Sequence, residues 1–191
     1  MALVWVITEE EKEEAVKLLE EHKIKSPDRL IGINPGATYG PAKRWFPRRF
    51  ADVADELIRK KSVEILLFGT PEEEEIAGEI CGHMREKCVN LSGKTNLRQL
   101  GALLGICKLL ITNDSGAMHI ASAVKTPVVA IFGSTDPERT SPWGKGHTVL
   151  YKKLDCSPCF ARKCLHGDYR CFKETRVEDV LVAVEEKLKD V

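Results

Sequence analysis

Residues 112 to 123 read TNDSGAMHIASA, so an Asn, an Asp, a Ser, a Gly and a His are packed together directly after the apolar run KLLI. A Ser or Asp at the start of a helix can accept one of its free N–H groups, and those N–H groups suit a phosphate oxygen. Gly116 would let a ligand come close to the backbone. A carboxylate beside a bare phosphate is unfavourable, so Asp114 is expected either to accept hydrogen bonds from sugar hydroxyls or, like Ser115, to cap the helix. His119 lies about one helical turn further on, and both a catalytic role and that of a satisfied, half-buried side chain stay open.

A second polar stretch, NPGATYGPAKRW, carries the strongest local positive charge, Lys43 and Arg44. An ammonium can follow a diphosphate, whereas a guanidinium favours fork-like pairing. A solvated surface pair is the alternative. A third stretch, FGTPEEEE, places acidic residues where they favour the positive end of a helix. One of them could also reach back to a ribose diol, as acids do in other nucleotide folds. Neither G-x-x-x-x-G-K-[ST] nor G-x-G-x-x-G occurs, which disfavours a P-loop nucleotidase and an ordinary dinucleotide fingerprint.

Four of the seven cysteines, Cys156, Cys159, Cys164 and Cys171, are spaced C-x2-C-x4-C-x6-C with His166 among them. Such spacing fits a tetrahedral structural zinc, while two disulfides or four free thiols are the other readings. The remaining Cys81, Cys88 and Cys107, scattered within the helical and strand patterns, are expected to behave as small core or surface residues.

The elements that must position these groups alternate. Helices are expected over TEEEKEEAVKLLEEHKI, where Thr8 and Glu11 have capping-box spacing, and over PRRFADVADELIRKK, PEEEEIAGEICGHMREK, LRQLGALLGIC, GAMHIASAV and RVEDVLVAVEEKLKD. Between them, RLIGIN, VEILLFG, KLLIT and PVVAIFG are apolar throughout, as strands covered on both faces must be. The expected fold is therefore α/β, a doubly wound, Rossmann-like parallel sheet in one domain spanning 1–191. Residues 152–175 read as a long irregular loop and 176–191 as a closing helix. All four strands exit into loops rich in Gly, Ser, Thr, Asn or Asp, the fourth being FGSTDPERTSPWG. Parallel sheets of this kind bind ligands at that rim.

Lysine plus arginine balance aspartate plus glutamate at 29 each, so no global field favours nucleic acid or an anionic membrane. Any anion site must be local. No apolar run approaches the roughly 20 residues of a membrane span, and the amino end lacks the pattern of a secretory signal, so a cytoplasmic location is expected.

INPGATYGPAKRWFPRRFADVADEL, LLFGTPEEEE and the stretch from NLSGKTNLRQL to SPWG resemble the carboxyl-terminal half of the ADP-heptose:lipopolysaccharide heptosyltransferases, most of all type II. The resemblance runs from about Leu30 to the final helix. It implies one half of a two-domain GT-B glycosyltransferase, the half that binds the ADP-heptose donor. It implies that Thr38 and Lys43 contact the diphosphate or heptose, that Glu73 holds the ribose, with Glu72, Glu74 and Glu75 as alternatives, and that Asp114, Ser115, Gly116 and His119 line the pocket. Residues 1–28 resemble the interdomain segment and first helix, with Met1 and Ala2 read as an artificial or split-gene start. Phe46 stands where the family usually has Pro. The family's acceptor domain and its catalytic Asp have no counterpart in the chain, so no general base for transfer is expected here, and Lys43 is left to stabilise the leaving group. Expected partners are ADP or ADP-heptose, with the lipopolysaccharide core as acceptor only when an amino-terminal domain is present. The full enzyme is expected at the inner face of the inner membrane, associated peripherally, and transfer is expected to need no cofactor. A stand-alone nucleotide-sugar binding module, or another sugar-nucleotide enzyme such as an epimerase, are the competing functions.

Overall fold

The computed structural model describes residues 4–24 and 26–189, so the reading of Met1 and Ala2 and the last two residues of the closing helix lie outside it. Six strands form one all-parallel sheet: β1 (Leu30–Asn34), β2 (Glu64–Leu67), β3 (Val89–Asn90), β4 (Leu109–Asn113), β5 (Val128–Phe132) and β6 (Thr148–Tyr151). Their spatial order is β3-β2-β1-β4-β5-β6, the doubly wound order, which reverses between β1 and β4.

Side-chain alternation along the strands explains why the sheet must be covered twice. Ile31, Ile33, Ile65, Leu67, Leu109, Ile111, Val129 and Ile131 point to one face, where they meet α2 (Pro47–Lys61), α3 (Glu74–His83) and α8 (Val177–Lys189). Leu30, Leu66, Leu110, Val128, Ala130 and Phe132 point to the other, beneath α1 (Glu9–Glu21), α4 (Leu97–Ile106) and α5 (Gly116–Ala123). Thr8 and Glu11 form the expected capping box at α1, and Pro47 opens α2 as its first residue.

Three sequence expectations change. The edge strands β3 and β6 and the single-turn helices α6 (Pro137–Thr140) and α7 (Arg170–Lys173) were not expected, because each is too short or too weakly apolar to show a period. α7 also places a helical turn inside the 152–175 loop. The helix expected from Pro71 to Lys87 begins instead as a 3-10 turn over Pro71–Glu73 and stops at His83. Its end has a definite cause: buried Asp55 of α2 accepts the N–H groups of Arg85 (3.2 and 3.0 Å) and Glu86 (3.0 Å), which can then no longer continue the helix. Cys81 and Cys88, read from the sequence only as scattered small core or surface residues, are adjacent across this turn.

A candidate donor cleft at the switch point

The cleft begins where β1 and β4 end side by side. Both strands end in an Asn, β1 directly after Ile33 and β4 after Thr112, and each Asn ties its neighbour's exit loop. Asn113 receives the N–H of Trp45 at 3.0 Å and donates to the Pro35 carbonyl at 2.6 Å. Asn34 donates to Ser115 Oγ at 3.3 Å and to the Gly36 carbonyl at 3.4 Å. Further along the first loop, the buried Trp45 ring meets Phe50 edge-on at 5.0 Å and its indole N–H donates to the Thr175 carbonyl at 3.1 Å. Arg44 turns back to the Ala37 carbonyl at 3.1 Å and so spans the loop's neck. Its neighbour Lys43 is free to point the other way.

Lys43 Nζ lies 2.6 Å from Asp114 Oδ2, in a pair whose side chains are only 13% and 5% exposed. The solvated-surface alternative for Lys43 is thus overturned. The same Asp114 oxygen also accepts Thr135 Oγ1 at 2.6 Å and Thr140 Oγ1 at 3.2 Å. Among the described residues no hydrogen bond reaches Oδ1. A buried ion pair stands only when hydrogen bonds satisfy its remaining atoms, and the two threonines do this for Oδ2. The expectation that Asp114 or Ser115 caps α5 fails: Asp114 is engaged with Lys43, and Ser115, though at the N-cap position, uses its hydroxyl on Thr112 (3.0 Å) and Asn34. The first N–H groups of α5 are consequently left facing the cleft without a side-chain cap.

Glu73 approaches from the β2 exit. Its Oε2 accepts the Thr70 N–H at 3.1 Å, and the carboxyl is buried over Gly36, where a Cβ would overlap it. Acidic-run capping and a position beside the cleft are therefore both realised by one residue.

Thr38, Lys43, Glu73, Asp114, Ser115, Gly116 and His119 all line one cleft of about 570 Å³, a size that suits a small organic ligand. Leu97, Leu100 and Ile120 give it an apolar end, and Gly116 has only open space where its side chain would be. Asn34, Asn113, Thr135 and Thr140 were missed by the sequence reading. An Asn at the end of RLIGIN and another directly after KLLIT were a usable signal for the first pair; the threonines had none.

The four cysteines of the 152–175 loop line a separate cavity of about 30 Å³ that also touches Ala42 and Ser134. Burial opposes a thiolate at Cys164, but the backbone N–H groups of Tyr169, His166, Gly167 and Asp168 outweigh it and hold this thiol below its ordinary range. Burial pushes the Cys171 thiol up, and repulsion from the other three adds to it. Among the described residues no three Cys, His, Asp or Glu side chains are arranged to hold a metal ion. The loop packs behind Lys43's own loop: the Ala42 N–H donates to the Arg162 carbonyl at 3.1 Å and Tyr39 Oη donates to the Phe160 carbonyl at 2.6 Å.

Sheet order and cleft position define the class, a Rossmann-type α/β domain with its ligand site at the switch point. Residues 4–170 match glycosyltransferase family 9 (heptosyltransferase), and the chain belongs to that family. Lipooligosaccharide heptosyltransferase 2 of Campylobacter jejuni subsp. jejuni serotype O:6 is 39% identical over 163 residues, which are 83% of this chain and 51% of that protein. The glycosyl transferase of family 9 from Veillonella parvula DSM 2008 superposes with a TM-score of 0.87 at 32% identity, over 98% of this chain and 54% of that one. The structure of Escherichia coli ADP-heptose lps heptosyltransferase II gives a TM-score of 0.83 at 29% identity, over the same shares. The fold is thus the doubly wound α/β sheet of one half of a GT-B enzyme, and the chain spans about half the length of the curated relatives it matches.

Proposed function

We propose that this chain is the donor-binding half of a heptosyltransferase that moves heptose from ADP-heptose to the inner core of lipopolysaccharide. One observation carries the reading: Lys43, Glu73 and Asp114, which come from three different strand exits, open into one cleft together with the uncapped start of α5. In the reading, the diphosphate lies between Lys43 and the α5 N–H groups, Thr38 adds a hydroxyl, and Glu73 accepts from the ribose. The apolar end at Leu97, Leu100 and Ile120 takes the adenine, and Asp114 Oδ1 accepts from heptose hydroxyls, with His119 close behind.

Transfer builds positive charge at the anomeric carbon and negative charge on the departing diphosphate. Lys43 and the helix start are placed to stabilise the latter, an effect worth about 10²-fold in rate per donor. In this reading the base that takes the proton of the acceptor hydroxyl is contributed by an acceptor domain. The chain alone is expected to bind ADP or ADP-heptose without turnover. The complete enzyme would meet its acceptor at the inner face of the inner membrane by peripheral association; no described helix is long and apolar enough to cross a bilayer. For the cysteine loop, the spacing of four thiols around one cavity favours a structural zinc, which would require them to draw closer than they now stand, since no three described side chains are in ligand geometry. Metal analysis with thiol titration tests it: less than about half an equivalent of zinc, with four reactive thiols, removes the metal.

A competitive titration of ADP against UDP tests the donor. Tighter binding of ADP is expected; preference for UDP would move the assignment to a different sugar-nucleotide enzyme.

A further inference from the structure

Cys81 lies in α3 near its carboxyl end and Cys88 stands immediately before β3, and their sulfur atoms are 3.3 Å apart. Both are only partly buried and pack against the core beneath α2 and α3. The turn between them is held from below, since Asp55 takes the N–H groups of Arg85 and Glu86 and so fixes the path from α3 to β3. A disulfide needs a sulfur separation of about 2.05 Å, so closure asks for a movement of little more than about 1 Å. Neither thiol has a place in the cleft.

We propose that Cys81 and Cys88 are a redox modification site, closing to a disulfide that ties α3 to the edge strand β3. With a low-molecular-weight disulfide such as oxidised glutathione as oxidant, the steps balance. The Cys81 thiolate attacks one glutathione sulfur, forming a protein–glutathione disulfide and expelling one glutathione thiolate. The Cys88 thiolate then attacks Cys81 Sγ and expels the second. Two protein thiols are oxidised, one small disulfide is reduced, and the two thiol protons pass to the two glutathione thiolates. Burial first, and then the hydrogen bond with Cys81, push the Cys88 thiol up to about 12, and the same exchange balances equally if Cys88 attacks first. This site is independent of the donor cleft, and its test does not use nucleotide.

The folded chain is incubated with oxidised glutathione, quenched in acid, denatured, alkylated and mapped by peptide mass. The expected result is an intramolecular 81–88 disulfide in the wild type. In Cys88→Ser, where the second step is blocked, Cys81 should instead carry a glutathione adduct, and in Cys81→Ser no intramolecular disulfide at Cys88 should form. Closing so short a loop is also expected to raise Tm by roughly 5 °C, reversed by a reducing agent. Full alkylation of both wild-type thiols under conditions that oxidise the unfolded chain would overturn the proposal, as would an unmodified Cys81 in Cys88→Ser.

Discussion

The cleft proposed for the donor and the cysteine loop occupy the same rim of the sheet but are assembled differently. Lys43, Glu73 and Asp114 are far apart in the chain and meet because β1, β2 and β4 are neighbours in a parallel sheet. The four cysteines come from sixteen consecutive residues and meet because local turns fold the segment back on itself. In the cleft, buried side chains hold the loops together across strands: Asn34, Asn113, and Asp114 with its two threonines. In the cysteine loop, backbone groups do much of the holding, as at Cys164 and in the Ala42 to Arg162 hydrogen bond. Side-chain substitutions should therefore damage the cleft more than the loop behind it.

The largest effect is expected from Asp114→Ala. It leaves the Lys43 ammonium nearly buried without its counter-charge and orphans Thr135 Oγ1. A loss of about 3–5 kcal/mol in denaturant unfolding follows. A loss below about 1 kcal/mol would show the pair to be more solvated than its geometry. Asn113→Ala should cost about 2 kcal/mol, because the buried Trp45 N–H and the Pro35 carbonyl both lose their partner. It should also weaken ADP binding, since the strut between the two loops is gone.

The loop's contribution is read at Gly40, which holds φ +145° with the Arg162 carbonyl 2.6 Å from where a Cβ would stand. Gly40→Ala should cost about 1–2 kcal/mol through strain and displacement of the cysteine loop, with ADP binding falling less than in Asn113→Ala. The smallest effect lies far from both regions. The Arg98 guanidinium, through its hydrogen bonds to Glu11, lowers that carboxyl from 4.5 to about 2. A depressed acid stabilises the fold above its unfolded value, and the contribution is lost as pH falls from about 4.5 to about 2. In Arg98→Ala, an NMR titration should return Glu11 toward 4.5, and the acid-side slope of stability in that window should flatten.

Much of this arrangement could be read from the sequence, for identifiable reasons. Four continuous apolar strands alternating with amphipathic helices leave few alternatives to a doubly wound sheet, and its rim collects the polar loops without knowledge of any contact. What could not be read was which partner each polar group would choose. Asp114 had two plausible tasks in sequence, and the deciding fact, that Lys43 and two threonines converge on one of its oxygens, depends on loops separated by up to 97 positions. Asp55 shows the same limit, because its capture of the Arg85 and Glu86 N–H groups shortened a helix whose period gave no warning. The edge strands were hidden differently: two residues at Val89–Asn90 carry no pattern, and the sheet recruits them through β2.

The central claim, that Lys43 and the start of α5 grip a diphosphate, is tested most directly by calorimetry with ADP on the wild type and on Lys43→Met, with the melting transition of each checked first. A charge-assisted hydrogen bond removed from a shielded cleft should weaken ADP by about 10- to 100-fold. Equal affinity in the two proteins, with both folded, would contradict the claim.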